Sequence, residues 1–417
     1  MYRKLVLDNG IRVVTERIPT LKSVTVGVWV NTGSRDEQPP QAGYSHFIEH
    51  MFFKGTHRRS AAEISREIDA LGGEMNAFTT RETTTYYVKV LDQHLGRALG
   101  LLSDLFHHSR FEPKEIEKEK QVVLEEIRMV QDDPEDLVQE LHTGQVLGRH
   151  PLGRSILGRK ETIRVLRRQD LLHYIDTHYD PAQTVVAIAG NFEQKKLDAM
   201  AARYFAKGRV AKAGYVSGRR PPEVYGGLLT KKKSLEQVHL CLGLKGVAAG
   251  HKDRYALYAL NTALGGSVSS RLFQEVREKR GLAYSIYSFL SGYSDGGTIT
   301  VYAATRPKEV DRVVDLVCRE ITRIGRQSIQ QEELIRAKNQ MKGSLMLSLE
   351  SSNSRMSKLA KDELTYGKRT SLDEMLAHID RVGEEHVFNA ARQFFRLDAL
   401  GITGLGPFAA GSLHAYR

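Results

Sequence analysis

The chain repeats itself, and the repetition narrows what it can fold into. The alternating run VTVGVWV that starts at Val24 returns as VHLCLGL from Val238. Likewise TVVAIAGN, ending in Gly190 and Asn191, has a counterpart in ALGITGLG through Gly404, and both pairs stand 214 residues apart. Between these anchors each half reads in one order: a strand, an apolar helical stretch, two strands (76–80 and 84–90; 284–290 and 298–304), then long helices. A last helix (170–178; 384–395) leads into the repeated strand. At 417 residues the chain exceeds what one hydrophobic core supports. These features predict an α+β fold of two homologous domains from an internal duplication, each a mainly antiparallel sheet with helices packed on one face. The first domain is expected at 1–215 and the second at 229–417, joined by a linker over 216–228 around GRRPPEVYGG.

In AGYSHFIEHMFFKGT, His46 and His50 lie four residues apart with Glu49 before the second. On a helix turning about 100° per residue the two rings project one above the other, with Glu49 beside them. Two neutral imidazoles on one face can hold the same zinc ion, and the glutamate can take a proton from the attacking water. The HxxEH order is the inverted relative of HExxH. In the second half, 214 residues on, the positions are Leu260, Ala263 and Leu264. A motif needed only by the fold would be expected in both copies, so its single occurrence favours chemistry in the first.

A hydrolytic zinc site takes a third protein ligand. The segment PKEIEKEKQVVLEEIRMV from Pro113 is rich in acids, and a helical wheel sorts them. With Ile116 at the centre of the apolar arc, Glu119 and Glu126 fall inside it at about −60° and −80°, while Glu117 and Glu125 face the polar side. Lys120, at about +40°, fits this wheel poorly. Glu115 sits in the first turn, where a carboxylate complements the helix dipole without a metal. A carboxylate on an apolar face is costly unless a metal or a hydrogen-bond donor meets it, which makes Glu126 and Glu119 the candidates. The adjacent His107 and His108 point about 100° apart on a helix and are expected at the surface.

Composition excludes several other classes. No run of 18 apolar residues appears, and MYRKLVLDNGIRVVTE goes straight into strand-like alternation, so no membrane insertion and a cytoplasmic location are expected. Cys241 and Cys318 stand in apolar surroundings, which argues against a disulfide framework. The net charge of +11 is spread among 50 acids with no nucleic-acid motif, and Lys231 to Lys233 read as a solvated loop end.

HFIEHMFFKGT, GGEMNAFTTRETTTYYV, EKEKQVVLEEI and HPLGRSILG together resemble the pitrilysin and insulysin family of zinc metallopeptidases, over nearly the whole chain. The likeness is strongest to the half-length branch of the mitochondrial processing peptidase β-subunit and bacterial homodimeric relatives. The resemblance implies Glu126, 76 residues beyond His50, as third ligand to one zinc ion per chain, and Glu119 as a glutamate assisting catalysis. It further implies a peptide substrate added as a strand, with backbone contacts at Asn76 and Ala77 and Phe78 near a specificity pocket. VREKRGLAYS resembles the segment that supplies an arginine and a tyrosine to the substrate, here Arg277 and Tyr284. Family sites lie in a chamber between two such halves, which implies a homodimer whose active site is completed by the partner's C-terminal domain.

The expected function is thus a zinc-dependent metalloendopeptidase acting on peptides or unfolded segments in a closed chamber, with Glu49 activating water. The alternatives are a dedicated leader or presequence processing peptidase and a non-catalytic subunit resembling a respiratory-complex core protein.

Overall fold

The computed structural model describes residues 1–211 and 218–416; residues 216 and 217 of the expected linker lie outside the described residues. Strands β1 (Tyr2–Val6), β2 (Arg12–Arg17), β3 (Ser23–Val30), β4 (Glu74–Thr79), β5 (Thr84–Leu91) and β6 (Thr184–Gly190) form a sheet in the order β1-β2-β6-β3-β5-β4. Strands β7 (Gly227–Lys231), β8 (Val238–Lys245), β9 (Ala283–Gly292), β10 (Gly297–Thr305) and β11 (Gly401–Leu405) form a second, in the order β7-β11-β8-β10-β9. The second order is the first with β1 removed. Even the one parallel contact recurs, β2 with β6 and β7 with β11, all other pairs being antiparallel. The two sheets are copies of one plan.

The repeat register differs by two residues from the sequence match at its second anchor. Val24 pairs with Gly190, whereas Leu405 pairs with His239, which carries Gly406 to the end of Val238. Gly190 and Gly406 share a left-handed φ, 138° and 145°. A Cβ on either would lie 2.6 Å or 2.9 Å from the Cα of Val24 or Val238. Gly406, not Gly404, is therefore the counterpart of Gly190. A slip of two keeps every strand side chain on its face, so alternation alone does not detect it.

By internal packing the chain forms two units that interleave along the sequence. One comprises Met1–Arg128, Arg154–Arg219 and Ser348–Arg369; the other comprises Met129–Gly153, Arg220–Leu347 and Thr370–Arg417. In the first, Val24, Val26, Val28 and Val30 of β3 enter the main core with Phe47, Ile48 and Met51 of α1 (Tyr44–Met51). Helices α2 (Ala61–Ala70), α3 (Leu95–His108) and most of α4 (Pro113–Asp132) complete that layer. Trp29 turns to the opposite face, where the helix Ser352–Tyr366 lies across the sheet. Trp29 Nε1 donates to Met356 Sδ at 3.1 Å, and the hydroxyls of Thr25 and Ser352 are 2.8 Å apart. Gly27 permits this approach, since a Cβ there would sit 2.5 Å from Met356 Sδ.

The second unit repeats the device with α5 (Pro134–Leu147). Leu137 and Val138 pack on Cys241 and Leu405, and His142 lies over Gly243, where a Cβ would overlap its ring. With both faces of each sheet covered, β3, β6 and β10 read as nearly unbroken buried runs. No described helix is long and apolar enough to cross a membrane.

Candidate metal centre

The site begins with the pitch of α1. Residues four apart on a helix stack, and the His46 and His50 rings stand with centroids 4.5 Å apart and Nε2 atoms 3.2 Å apart. α4 brings the acids. Its apolar side, including Ile116, Val123 and Ile127, is buried in the core, and that burial turns Glu119 and Glu126 toward α1. Glu126 Oε2 lies 3.5 Å from both Nε2 atoms, so these three side chains offer ligand atoms within 4.8 Å of one another.

Glu125, on the polar side of the wheel, pairs with Arg128 at the surface, and Glu115, in the first turn, is half-buried and pairs with Lys118. Lys120, the misfit, buries its stem and takes its ammonium to Glu117 at 2.7 Å and to the Arg164 carbonyl at 3.3 Å.

Glu119 is buried, with Oε1 2.8 Å from His50 Nδ1 and Oε2 2.6 Å from Lys54 Nζ. Burial would raise its pKa, but the His50 and Lys54 contacts outweigh that and hold it below the ordinary carboxylate value. Burial likewise disfavours charge on His50, yet the Glu119 hydrogen bond and the Glu126 charge prevail and move it upward. Burial, then the neighbouring His50, pushes His46 down to about 3, which keeps its ring neutral. Its Nδ1 is buried with no hydrogen-bond partner among the described residues. Glu49 is 9% exposed and accepts from Thr79 Oγ1 at 2.6 Å; burial raises its pKa against the pull of that bond.

β4 is the sheet edge, paired among the described residues with β5 alone, and alternation gives its residues opposite faces. Ala77 packs against the main core and Thr79 reaches Glu49. Phe78 faces the other way, its ring edge-on to Trp29 at 5.4 Å. Asn76 accepts from the Ala77 N–H at 2.8 Å. In the other unit, the Arg277 guanidinium lies 5.0 Å over the Tyr284 ring and 4.8 Å over Phe273, and Tyr284 is 78% exposed. His108 is at the surface, 3.1 Å from Asp104, while His107 turns inward toward Phe205, and burial takes it to about 4.

Thr79 and Lys54 were not singled out by the sequence reading. Lys54 had a usable signal, since it stands one turn beyond His50. Thr79 had only the alternation of its strand.

A sequence profile described as Insulinase (Peptidase family M16) matches residues 12–160, and one described as Peptidase M16 inactive domain matches 166–341. A Bacillus subtilis protein named uncharacterized zinc protease YmxG is 45% identical over 401 residues, covering 95% of this chain and 97% of that protein. The chain belongs to peptidase family M16. A Streptomyces coelicolor protein, also named an uncharacterized zinc protease, is 40% identical over 420 residues, 99% of this chain and 92% of its own. Among solved structures, a protease from Helicobacter pylori superposes with a TM-score of 0.92 at 23% identity over 98% of this chain and 99% of that one. At that identity the likeness speaks for the fold. In this M16 chain the HxxEH segment falls within the first profile. The second profile covers Leu260, Ala263 and Leu264, which are buried core.

Proposed function

We propose that this M16 protein is a zinc-dependent endopeptidase, with His46, His50 and Glu126 holding one zinc ion per chain. The observation that carries the reading is the triangle of ligand atoms, with sides of 3.2, 3.5 and 3.5 Å. Ligands about 2.1 Å from a tetrahedral zinc stand roughly 3.4 Å apart, so the donor set fits the ion by spacing as well as by chemistry. The orientation of His50 by Glu119 supports it, because a carboxylate on Nδ1 directs the Nε2 lone pair outward. Zinc, when bound, supplies a Lewis acid that acidifies water and polarises the peptide carbonyl.

The chain's own groups do the rest. Glu49 accepts the proton of the attacking water and returns it to the leaving amine; Thr79 holds Oε2, leaving Oε1 for the transfer. A peptide adds to the β4 edge through the backbone at Asn76 and Ala77, a contact blind to side chains that suits unfolded substrates. Phe78, turned toward Trp29, belongs to the support of that edge rather than to a pocket on the Glu49 face. Arg277 holds a substrate carbonyl and Tyr284 donates to the developing oxyanion, both supplied by a second copy in a homodimer.

Metal analysis of the purified protein tests the reading: one zinc per chain is expected, with loss in Glu126→Gln. Glu49→Gln should retain the metal and slow cleavage of a quenched peptide by about a hundredfold or more. Parent-rate cleavage by that variant would refute the role given to Glu49.

A further inference from the structure

The segment Arg154 to Gly158 is one end of the HPLGRSILG motif, for which the zinc chemistry has no use. It packs beside the start of α1. That helix has only eight residues, and its N-cap is Gly43, with φ 96° and no side chain to offer. The first N–H groups of a helix have no partner within it. Here Glu37, 2% exposed, supplies one from a separate turn: its Oε2 accepts from the Gly43 N–H at 2.8 Å and its Oε1 from the Ser45 N–H at 2.7 Å. A buried carboxylate is costly, and these two donors at the positive end of the helix dipole offset part of that cost, though burial still prevails and pushes its pKa up to about 8.

Glu37 is itself held. Arg154 donates to its backbone carbonyl, and Thr162 Oγ1 donates to the Ala42 carbonyl at 2.6 Å. Gly43 and Gly158 interlock: a Cβ on Gly43 would lie 2.7 Å from the Leu157 carbonyl oxygen, and one on Gly158 would overlap the Ala42 carbonyl. Ser45 Oγ is 3.0 Å from the Tyr174 hydroxyl. His46 is the next residue. A slip of α1 by one residue would move its rings by about 1.5 Å and turn them by about 100°, well beyond the roughly 0.5 Å that a working site tolerates.

We propose that Glu37 is a positioning residue: its carboxylate sets the start of α1 so that His46, Glu49 and His50 meet Glu126, and Arg154 with Gly158 locks it in place. The consequence for catalysis rests on the zinc peptidase reading; the clamp itself does not.

Glu37→Gln keeps the shape but sets an amide donor against one of the two N–H groups. With saturating zinc, kcat is expected to fall about tenfold with KM within about twofold, and a chelator should strip the metal about tenfold faster. Amide hydrogen exchange over residues 43–52, measured without metal, should quicken. Met356→Ala, on the far face of the sheet, is the control: it lowers thermal stability and leaves kcat, zinc release and that exchange unchanged. The proposal fails if Glu37→Gln behaves like Met356→Ala, or like the parent. Should Glu37→Gln not fold, Arg154→Met substitutes, with shifts in the same direction expected and parent behaviour overturning the clamp. Faster exchange in the variant, with a parent that takes up no zinc, would support the clamp and sink the peptidase reading.

Discussion

Thr79 Oγ1 donates to Glu49 Oε2 at 2.6 Å, so the edge strand of the first sheet also fixes the carboxylate beside the two imidazoles. Thr79→Val keeps the shape and removes the donor. A hydrogen bond to a charged group contributes about 1.5–3 kcal/mol, so kcat is expected to fall about tenfold or more, with recovery in Thr79→Ser. Steady-state kinetics on a quenched peptide check this, and an unchanged kcat would mean that packing alone places Glu49.

Glu119 and Lys54 form a relay behind His50, with links of 2.8 and 2.6 Å. Disturbing such outer partners costs about 10–100-fold in metal affinity. Glu119→Gln should show most of that loss and Lys54→Met less, because Lys54 acts through Glu119. Competition with a chromogenic chelator measures both, and equal affinity in all three proteins would remove Glu119 from the metal's support.

Met356 fills the space between Gly27 and Trp29. Met356→Ala leaves a cavity and removes the indole's acceptor, for an expected cost of about 2–5 kcal/mol. Trp29 is the chain's single tryptophan, so its fluorescence during urea unfolding reports this unit directly. A midpoint equal to the parent's would show that the helix Ser352–Tyr366 closes over the gap.

His142 is buried in the second unit, with Nδ1 3.0 Å from Thr403 Oγ1, and burial lowers its pKa to about 3. An exposed ring protonates near 6.5. Between those values the unfolded chain takes up a proton that the folded chain refuses. The stability is complete above pH 6.5 and is lost as pH falls through the window, by about 1.4 kcal/mol per unit of separation, or on the order of a few kcal/mol. His142→Gln should flatten that slope. Urea midpoints at pH 7 and pH 4.5, compared between parent and variant, decide it; parallel slopes would exonerate His142.

What could be read in advance follows from where periodicity carries information. The duplication was legible because alternation recurs in both halves, though alternation also hid the two-residue slip that makes Gly406 the match for Gly190. Glu126 was legible because its angle on α4 placed a charge among valines and isoleucines. Lys120 broke the same wheel because a long stem can bury itself and still carry its ammonium to Glu117. Thr79, Lys54 and Glu37 act through single contacts between distant segments, which no spacing rule encodes. Nor does an apolar helix face announce which sheet it will cover, as α5 and the helix Ser352–Tyr366 demonstrate.

Those two helices hold equivalent places in the repeat, and each covers the strands equivalent to those the other covers. The helix following the first set of strands lies on the second sheet, and the helix following the second set lies on the first. Neither half of the sequence therefore carries the helix that covers the far face of its own sheet. A fragment severed at the middle of the chain would leave Trp29 and Val185 open to water and ready to take up a stranger's helix.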